Sequence, residues 1–436
     1  MKRSISCEVS KFVRSGRSVF CLPGHKGSIG RFSRFDVTEL PEVGDLYRSN
    51  SLIERSERMA SNIYGSKFTI FSTGGNTLCI QAMLRLFFPN GGKLIVCRNV
   101  HRSVVYAMFL LGIEPVWVVC SEFGQATSEK ISLALLENPD SGAVFITSPD
   151  YFGNTADIKS ISKICGNIPV LVDNAHGSHL KLIGKNLHPI DQGASACADS
   201  AHKTLPILTG GAFLHVNSEN FTVSQAKSAM ELFGSTSPSF LTLISIEKCL
   251  NWIKSKGKSK FNYMLKEVNA VKTLAKRNGV LSSAPCEPAR IVLDFSNFVC
   301  DDEILLDYFR KFKIEPEFII NKVVVLIPSA FNSGRDWKRL RISLSQKNIS
   351  CFKNLQNKRS KTENFMALPE KFCSFKEALF AEREEIFTQE SLGRISAIPV
   401  SKCPPGLALV MPGEKIGIHE RQKIVSCGIS RIVVLK

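Results

Sequence analysis

Residues 142–180 read GAVFITSPDYFGNTADIKSISKICGNIPVLVDNAHGSHL. Two apolar, β-branched runs, GAVFITS and IPVLVD, flank the helix-like IKSISKIC, and neither run alternates apolar with polar residues. A strand that is apolar at every position is buried on both faces, as in a parallel sheet covered by helices. The pattern extends outward through residues 50–215. SLIERSERMASNIYG carries helical spacing and stops at Gly65; FTIFS, LCIQAMLRLFF, GKLIVC, SVVYAMFLLG, PVWVVC and ISLALLEN follow in turn. This half is predicted to be α/β with a mainly parallel sheet.

Beyond residue 216 the texture changes. A long helical stretch, SFLTLISIEKCLNWIKSKGKSKFNYMLKEVNAVKTLAKRNG, is followed by the strand-like ARIVLDFS and KVVVLIPS, the helical DEILLDYFRKF and the helix-like SFKEALFAEREEIF. A chain of 436 residues exceeds the size at which one core usually stops growing. The reading divides it into an N-terminal segment (1–50), a large domain (51–255) and a smaller C-terminal α/β or α+β domain (256–436).

Composition narrows the class. With 44% hydrophobic and 22% charged residues the chain is an ordinary folded protein. The net charge of +17 is scattered in short groups such as Lys254–Lys260, which favours a basic solvated surface over a nucleic-acid footprint. Fourteen cysteines without a C-x-x-C pair point to a reducing compartment. The basic N-terminus lacks an apolar signal core, and the longest apolar stretch is interrupted by Glu114 and Pro115. The expectation is a cytoplasmic protein without a membrane segment.

In open α/β sheets, ligands bind beyond the carboxyl ends of the strands, so polar residues just after apolar runs come first. Asp173 ends IPVLVD, His101 follows GKLIVC, Tyr151 and Asn154 follow GAVFITS, and Gly74, Gly75, Asn76 and Thr77 open a helix. Lys203 sits in CADSAHKTLPILTGGAFLHV. Singly, each has an ordinary reading: a turn cap, a strand-to-helix turn, a hydrogen-bonded histidine. No H-x-x-x-H or H-x-x-E-H pattern suggests a metal. Together they fit pyridoxal 5'-phosphate (PLP) chemistry. That chemistry needs a Schiff-base lysine (Lys203), a carboxylate for the pyridine nitrogen (Asp173), a planar group against the ring (His101) and an anion cradle (Gly75, Asn76, Thr77).

Ordered blocks then resemble the ornithine/lysine/arginine decarboxylase family of fold type I, the aspartate aminotransferase fold. They are PGHKGS (23–28), DVTELP (36–41), RNVHRS (98–103), SPDYFG (148–153), VDNAHG (172–177), SAHKTLPILTGGAFLH (200–215), STSPSF (235–240) and PPGLALVMPGE (404–414). The resemblance implies a PLP-dependent decarboxylase of arginine, lysine or ornithine. Lys203 would form the Schiff base, Asp173 pair with the pyridinium and His101 stack on it. His176 would lie beside the cofactor, with Ser200 and His202 near the phosphate. It further implies a homodimer or higher homo-oligomer in which Ser237 approaches the partner subunit's cofactor phosphate. Glu414 is the candidate binder of the substrate's cationic end. Because the chain lacks room for the extra N-terminal wing domain of the larger acid-inducible members, a biosynthetic role in polyamine production is favoured.

Departures from the family pattern cluster away from the cofactor residues. The usual DEAHG is DNAHG, with Asn174 replacing an acid, STHK is SAHK with Ala201, and Ile398 and Cys403 replace an acid and a tyrosine. These leave the substrate open. The alternatives are another fold type I reaction such as transamination, for which Arg394 and Arg341 are available carboxylate clamps, or a weakly catalytic regulatory paralogue.

Overall fold

The computed structural model describes residues 4–38, 40–119, 125–282, 286–353, 368–402 and 407–436. Seven strands build the central sheet: β1 (Phe68–Ser72), β2 (Gly92–Cys97), β3 (Ile113–Val118), β4 (Ser141–Thr147), β5 (Val170–Asp173), β6 (Ala196–Asp199) and β7 (Ala212–Val216). Their lateral order is β1-β7-β6-β5-β4-β2-β3. All neighbours from β6 to β3 pair in parallel, whereas β7 is antiparallel to both β6 and β1. Only β7 therefore runs backwards, and the carboxyl ends of the other six share one edge. The chain steps outward from β2 to β3 and then returns to β4, so the order reverses between β2 and β4, where a crevice opens.

The unbroken apolar strands are buried throughout in β1, β5, β6 and β7. Alternate side chains feed two cores. Leu94, Val96, Phe145, Leu171 and Ala198 face one. Ile95, Val144, Ile146, Val172 and Cys197 face the other, where they meet Ile131, Ile158 and Ile161. The covering helices begin with α1 (Ile5–Arg14), α2 (Leu52–Tyr64), α3 (Gly75–Phe87), α4 (Arg102–Leu111), α5 (Ser128–Glu137) and α6 (Ile158–Cys165). Ser51 caps α2 by accepting from Glu54 N, and Gly65 ends it in the left-handed conformation, as the sequence predicts.

The short α7 (Leu180–Ile183) and α8 (Ala201–Thr204) precede α9 (Val223–Glu231). The long helical stretch is α10 (Phe240–Trp252) and α11 (Lys258–Arg277), joined without a break by a π-turn at Ile253–Gly257. Residue 255 lies inside this turn. Beyond it, β8 (Ile291–Asp294), β9 (Phe318–Ile320) and β10 (Val323–Leu326) form an antiparallel sheet in the order β8-β10-β9. A separate core of Val400, Val410, Ile416, Ile424 and Val434 supports two antiparallel pairs. These are β11 (Arg383–Phe387) with β14 (Arg431–Leu435), and β12 (Val400–Lys402) with β13 (Leu407–Val410).

One element differs from the sequence reading. SFKEALFAEREEIF is helical only over Phe375–Phe380; Arg383–Phe387 pairs with the C-terminal strand, so a distant partner overrides local helix propensity. Cys403 and most of the basic stretch beginning at residue 354 lie outside the described residues. Among the described residues no helix is long and apolar enough to cross a membrane.

Gly210 shows how tightly the strand ends are gathered. It has φ +92°, its carbonyl accepts from Gly75 N at 2.8 Å, and an added Cβ would stand 2.7 Å from the Thr73 carbonyl oxygen. Gly210→Ala is expected to cost more than about 1 kcal/mol through backbone strain alone. A lowered melting temperature in thermal denaturation checks this.

Candidate active site

A cavity of about 270 Å³ lies beyond the carboxyl ends of β1, β2, β4, β5 and β6. Gly75, Asn76, Thr77, His101, Asp173, His176, Ser200, His202 and Lys203 all line it. The strand-end argument and the family resemblance together bring these nine named residues, and Tyr151 besides, to one place. Glu414 and Ser237 are not among the lining residues. Ser237 is exposed just before α10.

Each wall follows from local structure. The loop after β1 enters α3 through Gly74, which supplies no capping side chain, and Gly75 adopts φ +75° with open space around it. The Gly75 N–H is taken by the Gly210 carbonyl, and the N–H groups of Asn76 and Thr77, without a side-chain cap, are left for an anion. Asp173 ends β5, buried, with Oδ1 accepting from Asn76 Nδ2 at 2.9 Å and from Ala175 N at 3.2 Å. Burial raises its pKa from 3.8 to about 6, against the opposing pull of Lys203 and of these hydrogen bonds.

His101 caps α4: its Nδ1 accepts from Ser103 N at 3.2 Å, which puts the ring proton on Nε2. Burial, then Lys203 and Arg102, bring its pKa down to about 4, so it is a neutral planar ring at pH 7. Lys203 Nζ lies 3.1 Å from His176 Nε2 and 5.5 Å from the Tyr151 ring centroid. Burial and then Lys203 hold His176 well below the usual histidine range, so it meets the lysine as a neutral acceptor. Tyr151 packs on His176 at 4.5 Å and on Phe318 of β9 at 5.8 Å, joining the cavity wall to the smaller sheet.

Polar atoms on the wall lack protein partners. Asn76 Oδ1, Asn99 Oδ1, Thr147 Oγ1 and His176 Nδ1 are buried with no hydrogen bond. Orphaned groups of this kind, beside an uncapped helix start, a buried carboxylate and a lysine, fit a polar phosphorylated ring compound such as PLP. Asn99 and Thr147 had no role in the sequence reading, and Tyr151 had none beyond its position. The signal was the one that found Asp173, a polar residue at or just past the end of an apolar strand.

Other candidates have different tasks in the structure. His179 pairs through Nε2 with Glu287 at 3.2 Å. Arg394 pairs with Glu384 and Arg341 with Glu267, and neither arginine lines the cavity. Glu414 is 4% exposed and bidentate with Arg98, at 2.7 and 2.6 Å, while also accepting from Met411 N. Arg98 immediately precedes the lining residues Asn99, Val100 and His101, so this ion pair anchors their loop. Glu414→Gln is expected to destabilise the protein by about 3–5 kcal/mol, because it leaves Arg98 buried without its counter-charge. Chemical denaturation measures this directly.

Residues 7–303 match the family model described as Orn/Lys/Arg decarboxylase, major domain. An arginine decarboxylase of Halalkalibacterium halodurans is 26% identical over 432 residues, covering 91% of this chain and 87% of that protein. The solved lysine decarboxylase of Francisella novicida superposes with a TM-score of 0.83 at 15% identity, over 99% of this chain and 81% of that one. A structure described as "SPT with PLP" superposes at 0.56 with 14% identity, over 69% of this chain and 76% of the other. Two likenesses of fold and a family match over most of the chain agree with the residues around the cavity: the chain belongs to the Orn/Lys/Arg decarboxylase family, on the fold of the pyridoxal phosphate enzymes.

Proposed function

We propose that this protein is a PLP-dependent decarboxylase of a basic amino acid, arginine, lysine or ornithine. The observation that carries the reading is the meeting of Lys203, Asp173, His101 and His176 at one cavity. PLP, when bound, supplies a cationic ring that takes up the electrons released as the α-carboxylate leaves as CO2. The chain's own residues do the rest. The start of α3, with Asn76, Thr77, Ser200 and His202, holds the phosphate. Asp173, ionised above about pH 6, keeps a proton on the pyridine nitrogen. The neutral His101 ring covers one face of the cofactor. His176, held neutral with Nε2 3.1 Å from Lys203 Nζ, would accept a hydrogen bond from the lysine and orient its nitrogen toward the cofactor.

The same reading includes a homodimer. Phe20, Leu22 and Phe32 are 95%, 68% and 62% exposed, a cost in water that a partner subunit removes, and Ser237 is exposed as a residue serving a partner's site would be. The binder of the substrate's cationic end remains Glu414 in this proposal, provided that substrate draws it from Arg98. Transamination has less support, since neither Arg394 nor Arg341 lines the cavity.

Two experiments test the reading. Lys203→Ala is expected to abolish the visible absorbance of bound PLP and CO2 release from all three amino acids. Unchanged absorbance in that variant refutes the assignment, and amino transfer to 2-oxoacids without CO2 favours transamination. Asp173→Asn separates stability from function. Because the folded pKa is raised, Asp173 stabilises the cofactor-free fold below its ordinary pKa of 3.8, and this is lost as pH rises through about 6. At pH 7 the variant is therefore expected to melt higher without cofactor, by the equivalent of roughly 1–3 kcal/mol, while binding PLP at least tenfold more weakly. The gain should vanish below pH 4, which melting curves across pH can follow.

A further inference from the structure

Directly before Ser200 in the sequence, and outside the residues that line the cavity, lies another buried carboxylate. Asp199, the last residue of β6, has no solvent exposure. Its Oδ1 accepts from Asn174 Nδ2 at 2.6 Å and from Cys197 Sγ at 3.4 Å. Its Oδ2 lies 3.1 Å from His188 Nε2 and 3.5 Å from His215 Nε2. A carboxylate offers about four lone-pair directions, and here four groups face it. Burial alone would raise its pKa, yet His188 and His215 hold it well below the carboxylate range, so it is a fixed buried anion.

One proton in this cluster can be placed. His188 Nδ1 accepts from Ile190 N, so its proton is on Nε2, facing Asp199. His215 Nδ1 is 2.8 Å from Thr69 Oγ1, which is 2.9 Å from Ser66 Oγ, and His215 Nε2 faces Asp199 without a hydrogen bond. The Tyr64 ring covers both histidines, at 5.1 and 4.3 Å between centroids. His188, Asp199 and His215 also have the spacing of metal ligands. A metal needs lone pairs directed at it, however, whereas here an amide N–H and an imidazole N–H point at the same carboxylate.

Asn174, the residue after Asp173, is the amide that donates to Asp199 at 2.6 Å. We propose that Asp199 is a positioning carboxylate of the active site. By accepting from Asn174 it ties the end of β5 to the end of β6, so that Asp173 and Ser200 face the cofactor. The proposal rests on the PLP reading above. Acid and amide are interdependent, because an acid at both positions would set two carboxylates at hydrogen-bonding distance and force one of them to take up a proton. The anion also reaches the chemistry electrostatically, since it pushes the Asp173 pKa upward. The other ionisable groups facing it are His188, His215, Cys197, Cys79 and Tyr64.

The test is a swap. Asp199→Asn, Asn174→Asp and the double variant are compared for apo melting temperature, PLP dissociation constant and the pH at which the absorbance of bound PLP changes, with metal content measured by mass spectrometry. Asp199→Asn is expected to weaken PLP binding at least tenfold at a temperature where circular dichroism shows the chain folded. It should also move the absorbance transition to lower pH, since a buried negative charge favours nearby protonated groups. The double variant should return the dissociation constant to within threefold of wild type and reverse the pH shift. A merely structural role would lower the melting temperature and leave the transition in place, and that result overturns the proposal. So does a double variant no better than Asp199→Asn, or one equivalent of tightly held zinc in the purified protein. If wild type takes up no PLP, the function reading falls instead, and the proposal then stands or falls on whether the swap restores the apo melting temperature.

Discussion

Strand polarity is the constraint from which the rest of this structure follows. Six of the seven strands run the same way, so the connections that leave these six pass the same edge of the sheet. Residues nearly 130 positions apart in sequence, Gly75 and Lys203, meet there without any long excursion of the chain. The reversed strand β7 lies between β1 and β6, and the turn before it delivers Gly210 to the start of α3. The anion cradle and the lysine segment are thereby held by one backbone hydrogen bond.

Burial then determines the electrostatics. A sheet covered on both faces forces any ionisable group at its core to be neutral, paired or costly. The protein uses all three. His101 and His176 are neutral. Arg98 with Glu414, and Lys227 with Glu57 at 3.1 Å, are paired. Asp173 is costly, destabilised as an anion by burial, as Glu57 is despite Lys227. Under the proposed function a protonated ring would relieve Asp173, so that stability and cofactor binding would compete at one carboxyl group.

The sequence made the large domain legible because its strands are continuous apolar runs and its helices end at glycines such as Gly65 and Gly112. Strand-end polarity was equally visible and led to Gly75, Asn76, Thr77, His101, Tyr151 and Asp173 at the cavity, whereas Ser200 and His202 were named only through the family resemblance. What stayed hidden depends on partners remote in the chain. Nothing local in REEIF announces that it pairs with RIVVL, and a helix was the better local guess. Glu414 reads as a loop acid until Arg98 is seen across from it. Asp199 looked like part of the lysine motif, and its three partners from other segments became apparent only once β5, β6 and β7 were side by side. Subunit contacts belong to the same class, since they need a second chain.

The Arg98–Glu414 pair spans 316 residues. Every residue proposed here to touch the cofactor within one chain has been synthesised by position 204. The loop bearing Asn99 and His101 nevertheless gains its anchor only when the segment around Glu414 has emerged and folded against it. A nascent chain can thus complete its sheet early, while this loop stays untethered until synthesis has passed residue 414. A chain cut before Glu414 would keep the groups that line the cavity and lose the ion pair that holds their loop.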